Sequence, residues 1–204
     1  MSSRRSNDRS GLHARLSDAL AAVNSALAPT TPLRITVGDE YQGTFATLEA
    51  AVRAAWWLRV QLLPVCDLRQ GLGHGEVRVL QEQPRVEDGP GWWSARDAVH
   101  AVELAQDRPG SAWRRTAFRT SSPGAGSDPG PVAHWVEAVL VLSDSAVGGL
   151  SDRSLSVLRG LLEGRTQREI AAELGISPSA VSQRVRADGL GALLAAVDLM
   201  KDVP

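Results

Sequence analysis

Apolar residues near the start of the chain fall at Leu12, Leu16, Leu20, Val23 and Leu27, the three-and-four spacing of one helix face. Ser10 or Asp8 can cap that helix, and Pro29 lies past its end. The period then changes to two. Leu33, Ile35 and Val37 alternate with Arg34 and Thr36, which predicts a half-buried strand stopping at Gly38-Asp39-Glu40. A tight turn there sets Asp39 and Glu40 at the tip of a hairpin that returns through Gly43-Thr44-Phe45. Helical spacing resumes over 48–63 and ends at Pro64. Residues 67–71 and 76–80 read as strands around a glycine-rich bend, Gly71-Leu72-Gly73-His74-Gly75. A helix over 92–104 and a strand over 114–120 follow.

Residues 121–131 are nearly all Ser, Gly, Pro, Ala and Asp, too poor in apolar surface to order themselves, and predict a flexible loop. Another helix spans 132–145 and stops at Gly148-Gly149, where the pattern places a domain boundary. The expected organisation is an α/β (α+β) domain over 1–148 and an all-α domain over 150–204.

Within that second domain, Gln167-Arg168-Glu169-Ile170-Ala171-Ala172-Glu173-Leu174-Gly175-Ile176-Ser177-Pro178-Ser179-Ala180-Val181-Ser182-Gln183-Arg184-Val185 reads as a helix-turn-helix. Ala171 supplies the small residue where the helices cross and Gly175 the turn. Ile170, Leu174, Ile176, Val181 and Val185 close a miniature core. Thr166 and Ser177 are positioned as caps, with Pro178 at the favoured first helical position. With the valines inward, Pro178, Ser179, Ser182, Gln183 and Arg186 face outward. Gln183 suits adenine, and Arg186 suits guanine or phosphate. The candidate contacts to double-stranded DNA are Gln167, Ser177, Pro178, Ser179, Ser182, Gln183, Arg184 and Arg186. One small module binds weakly at cell salt, so a homodimer on two half-sites is expected. The apolar face of 190–200, with Leu190, Leu193, Leu194, Val197 and Met200, fits either core packing or a dimer seam. The module resembles the DNA-binding domains of LuxR-type regulators and region 4 of sigma factors.

Composition narrows the choices. The chain carries 22 Lys+Arg against 23 Asp+Glu, so any nucleic-acid contact must be local. No apolar run approaches the roughly 20 residues of a membrane span, and the polar, basic start has no apolar leader core. A lone Cys66 cannot form an internal disulfide, which fits a cytoplasmic chain. The pairs Trp56-Trp57 and Trp92-Trp93 are expected to seal the core with one ring and line an interface or pocket with the other. His13, His74, His100 and His134 lack metal-ligand spacing.

Three constellations occupy the first 120 residues: Gly38-Asp39-Glu40-Tyr41-Gln42-Gly43, Arg69-Gln70-Gly71-Leu72-Gly73-His74-Gly75, and Glu87-Asp88-Gly89-Pro90-Gly91-Trp92-Trp93-Ser94-Ala95-Arg96. Their order and spacing, with the helix-turn-helix behind them, resemble the SatD family nearly end to end. They resemble more distantly the palm-like domain of class III nucleotide cyclases and GGDEF diguanylate cyclases. That second resemblance implies a palm/ferredoxin-like sheet and a nucleotide or small ligand near Asp39, Glu40, Arg69, Gly73, Asp88, Trp92 and Arg96. It also implies Mg or Mn held by Asp39 and Glu40.

Two departures count against cyclase chemistry. The opening strand and its metal carboxylate are absent, and Trp92 stands where the cyclases carry asparagine, four residues before Arg96. The expected function is a DNA-binding transcriptional regulator with a degenerate cyclase-like sensor and no catalytic residue. The alternative is a nucleotidyl cyclase, or another nucleotide-dependent enzyme, whose helical tail serves assembly. Gly-Asp at a hairpin tip is equally ordinary turn chemistry, and both readings stand at this level. Loss of an opening strand upstream of Met1 is further expected to leave the strand from Leu33 with an open edge.

Overall fold

The computed structural model describes residues 2–83, 85–121 and 130–202; most of the polar stretch 121–131 lies outside them. The chain forms two compact units. The first combines Met1–Leu68 with Leu150–Pro204, and the second is Arg69–Gly149. One break thus falls at the expected boundary near Gly149, and the other falls inside the expected α/β domain.

In the first unit, α1 (Ser2–Leu27) turns Leu16, Leu20 and Val23 into the core. β1 (Thr31–Ile35) and β2 (Tyr41–Thr44) form an antiparallel hairpin, with Arg34 opposite Gln42 and Ile35 opposite Tyr41. Its turn closes through Glu40 N–H donating to the Val37 carbonyl at 2.9 Å, and Gly38 takes φ 63°. The side of β1 away from β2 is occupied at Leu33 by a side chain. Leu33 N–H donates to Asn24 Oδ1 at 2.8 Å, and Asn24 Nδ2 donates to the Leu33 carbonyl at 2.9 Å. The carboxamide reproduces the pair of bonds a neighbouring strand would make, so the open edge expected at Leu33 is filled there.

Thr47 caps α2 (Leu48–Leu62) by accepting from Ala50 N–H at 3.2 Å. This helix packs on α1 on one side and on α5 (Asp152–Leu162) and α8 (Leu190–Asp198) on another. Trp56 and Trp57 are therefore both buried, at 3% and 5% exposure, and the expectation of one inward ring per pair fails here. A helix with partners on several sides has no face left for an outward tryptophan. Leu190, Leu193, Val197 and Met200 are likewise buried, so the apolar face of α8 is core. Residues 150–204 consequently share their core with the first 68 residues.

The second unit is organised by β3 (Gln70–His74) and β6 (Thr116–Thr120), which pair in parallel from Gln70 opposite Thr116 to His74 opposite Thr120. Gly71-Leu72-Gly73-His74 is therefore strand where a bend was expected. Gly71, Gly73 and Gly75 recur with the period of a strand, and α3 (Pro90–Gln106) lies directly upon them. A Cβ on Gly71 would overlap the Ala95 carbonyl oxygen, and one on Gly73 the Gly91 carbonyl oxygen. The glycines serve close backbone approach.

On another side of β6, α4 (Gly130–Gly148) supplies two carboxylates seven residues apart. Asp144 Oδ2 accepts from Arg115 N–H and Thr116 N–H, each at 2.7 Å, and Glu137 Oε1 accepts from Phe118 N–H at 2.5 Å. The exposed hairpin of β4 (Arg78–Glu82) and β5 (Arg85–Asp88) forms its own ladder. The described strands thus pair two by two, in three ladders, instead of in the single sheet of the palm expectation. Side chains of Asn24, Glu137 and Asp144 take up edge groups that further strands would need.

Candidate nucleic-acid interface

The surface with the clearest chemistry lies on two short helices, α6 (Gln167–Leu174) and α7 (Pro178–Ala187). Thr166 begins α6 with a reciprocal cap: its hydroxyl accepts from Glu169 N–H at 3.3 Å, while Glu169 Oε2 accepts from Thr166 N–H at 2.8 Å. Bonds from the Thr166 N–H and hydroxyl hold the Glu169 carboxyl below its ordinary range. Gly175 ends the helix in the left-handed region, at φ 63°. Two residues later Ser177 caps α7, accepting from Ala180 N–H at 3.2 Å, with Pro178 at the first helical position.

Ile170, Ala171 and Val181 are buried between the helices. Gly160 of α5 gives Ile170 its seat, because a Cβ at Gly160 would stand 2.5 Å from Ile170 Cγ1. These contacts fix which side of α7 faces outward. Pro178, Ser179, Gln183 and Arg186 are exposed, and Ser182 is half-buried. Gln167, at the start of α6, is exposed beside Arg168. Arg184 departs from the expected contact set. It is half-buried and turned to α5, donating to Ser154 Oγ at 3.3 Å. The helical step from Val181 carries position 184 to the inner flank. Ser177 is engaged as a cap, and its hydroxyl lies 2.8 Å from that of Ser179.

Nearby carboxylates are occupied locally. Glu173 pairs with Arg165, Glu169 with Thr166, and Asp188 accepts from the Ser154 hydroxyl at 2.5 Å. The exposed charges on the outward side of α7 reduce to arginine. A helix carrying Gln183 and Arg186 one turn apart offers amide and guanidinium donors to base edges or phosphates.

The seven residues of the expected ligand site do not form one constellation within a unit. Asp39 and Glu40 lie exposed on the β1–β2 turn of the first unit, and the other five belong to the second. Among the described residues no group of three His, Cys, Asp or Glu side chains could hold a metal ion, so Asp39 and Glu40 have no third ligand there. Arg69 bonds Gln106 at 2.6 Å, and Gly73 is covered by α3. Asp88 accepts from the Trp93 indole at 2.9 Å. Trp92 is half-buried with its indole N–H enclosed, while Trp93 is 59% exposed and Arg96 is exposed. The two rings of the second tryptophan pair thus differ in exposure, as those of the first do not.

Sequence reasoning missed Glu169, although Thr-x-x-Glu ahead of an apolar run is the signature of this reciprocal cap. It also missed Gly160 and Ser154, which no motif marks.

Fold and surface together define a mixed α/β protein, rich in helix, with small sheets and an outward polar helix near its carboxy-terminal end. Among the described residues no helix is long and apolar enough to cross a membrane. The chain belongs to the SatD family, whose model matches residues 1–202. No curated protein and no solved structure matches it.

Proposed function

We propose that the chain is a sequence-specific DNA-binding regulator in which α6 and α7 act as a helix-turn-helix and α7 docks in a major groove. The observation that carries this reading is the outward side of α7. Pro178, Ser179, Gln183 and Arg186 are exposed together, on a helix held by the Ser177 cap and the buried Val181. Gln167 and Arg168 at the start of α6 are available to the phosphate backbone.

The second unit is the sensor in this reading, with the enclosed Trp92 indole N–H among its unspent polar groups. The strand face at Gly73, where a phosphate would approach in a palm, is filled by α3. Nor do Asp39 and Glu40 acquire a further carboxylate partner among the described residues to complete a cation site. These features disfavour the nucleotidyl cyclase alternative.

Selection of bound fragments by the full-length protein from a duplex library tests the proposal. A sequence preference is expected. Gln183→Ala should relax it, at about 1–3 kcal/mol for a bidentate base contact. Arg186→Ala should weaken binding and lower the salt slope by about 1 if it serves phosphate. Absence of sequence-preferring binding at low salt overturns the reading.

A further inference from the structure

Helix α4 is apolar on two sides. Ala133, Val136, Leu140 and Val147 are buried, and the helix packs on β6. A different side carries Val132, Trp135, Val139, Leu142 and Ala146, separated by alternating steps of three and four residues, the register of a coiled-coil seam. Trp135 is 73% exposed and Leu142 71%, with Val132 at 42%. Neither charge in this helix lies in that register. Glu137 bonds Arg114 and Arg119, and Asp144 is spent on the backbone at Arg115 and Thr116. Along one flank of the seam stand Pro131, Ala138 and Ser145, which are small and uncharged.

We infer that this side of α4 is the surface through which two copies of the chain pair, α4 against α4. A two-fold interface sets a surface against itself, so any net charge on it would meet its like. This seam carries none in its register, and therefore opposes itself without repulsion or a stranded ion. Its three-four register supplies side chains that can interdigitate along a helix of about 28 Å, at 1.5 Å per residue. The preceding residues 122–129, Ser-Pro-Gly-Ala-Gly-Ser-Asp-Pro, contain no large apolar side chain with which to cover it. The competing seam on α8 is consumed by the core of the first unit. The pairing rests on the DNA reading for its purpose, two half-sites for two recognition helices, and on α4 alone for its geometry.

Sedimentation equilibrium of the full-length protein across the micromolar range provides the test, beside the double variant Trp135→Glu, Leu142→Glu. The wild type is expected at the mass of two chains and the variant at the mass of one, with unchanged far-ultraviolet circular dichroism. Should the variant fail to fold, Val139→Cys in a Cys66→Ser background decides instead. The middle position of a symmetric seam meets its own copy and forms a covalent dimer on mild oxidation. A wild type that stays monomeric, a folded variant that stays dimeric, or a Val139→Cys protein that does not cross-link overturns the seam. Mobility shifts on the same samples separate the two ideas: a dimer that binds no duplex removes the DNA reading alone, and a monomer that binds duplex removes the seam alone.

Discussion

Arg159 of α5 donates from Nε to the carbonyl oxygen of Val60 at 2.9 Å, joining residues 99 positions apart in the chain. Its Nη2 also donates to the Leu63 carbonyl, at 2.5 Å. Both acceptors belong to the carboxy-terminal end of α2, where carbonyls lack helical partners and a cation is favoured by the helix dipole. Partial burial lowers the guanidinium pKa from its ordinary value, against the raising pull of Glu163 and Asp152. Around this contact, Gln61 donates to Glu163 at 2.7 Å and Arg53 pairs with Asp198 at 2.7 Å. Helices α5 and α8, which precede and follow the proposed recognition helices α6 and α7, are thereby fastened to α2.

Arg159→Ala should destabilise the first unit by about 2–3 kcal/mol, since it removes two charge-assisted bonds and strands two carbonyls. Arg159→Lys keeps the charge but cannot serve both acceptors in the same planar geometry, and should recover only part of the loss. Urea denaturation of the full chain with Trp92, Trp93, Trp113 and Trp135 replaced by Phe, followed by fluorescence of the remaining Trp56 and Trp57, reads the difference. Equal stability in all three proteins would show that the contact contributes nothing.

Asn24→Ala is expected to cost about 2 kcal/mol, because it deprives both the N–H and the carbonyl of Leu33 of their partner beside a buried side chain. It also bares the edge of β1 at Leu33, so the variant should associate more readily on warming. Chemical denaturation and light scattering measure the two effects. Asn24→Asp keeps an acceptor for the Leu33 N–H but loses the donor to its carbonyl, and is expected to fall between.

Asp144→Ala should cost about 3–5 kcal/mol, as the carboxylate is almost fully buried and serves two backbone N–H groups and the Thr116 hydroxyl. Asp144→Asn retains an oxygen for the amides, and the hydroxyl can turn to accept from its NH2. Its loss should be less than half as great. Hydrogen exchange at the Thr116 amide provides a local measure: protection should collapse in the alanine variant and largely survive in the asparagine one.

Local patterns were the legible part of this fold. The helix expected over 48–63 is found at Leu48–Leu62, and the turn at Asp39 and Glu40 lies where alternation stops. Both features depend on residues close in sequence. The caps Thr166 and Ser177 and the turn at Gly175 are equally local, and follow from residue type and spacing. Gly71 and Gly73 are strand where a bend was expected, and only Gly75 bends, because glycine carries opposite messages. It bends a chain that nothing covers, and it flattens a strand that a helix must cover, and only α3 decides between them.

Nonlocal partnerships escaped the reading altogether. An open edge was expected at Leu33, where Asn24 satisfies the backbone, and a single sheet where Glu137 and Asp144 take up groups of β6; sequence periodicity reports which side is buried but not by what. The same blindness hid the burial of both Trp56 and Trp57. In the candidate interface the outward positions of α7 were readable from Val181 inward, whereas the turn of Arg184 toward Ser154 required α5 to be in place.

The discontinuity of the first unit imposes an order on its birth. A ribosome makes α2 early, but α5 and α8, which cover it, emerge only after the whole of Arg69–Gly149 has been synthesised. The second unit is contiguous and can close on itself meanwhile. During that interval the flank of α2 that α5 and α8 will cover has no native cover, a state open to nascent-chain chaperones and to aggregation. Completion then brings two distant stretches of chain together, at a loop-closure cost that the folded insert reduces by shortening the free path between them. Helices α5 and α8 dock on a surface that has waited while the whole insert was made, and they carry the proposed DNA-reading helices α6 and α7 between them, so a product that stops within the insert lacks both the reader and the cover of its own core.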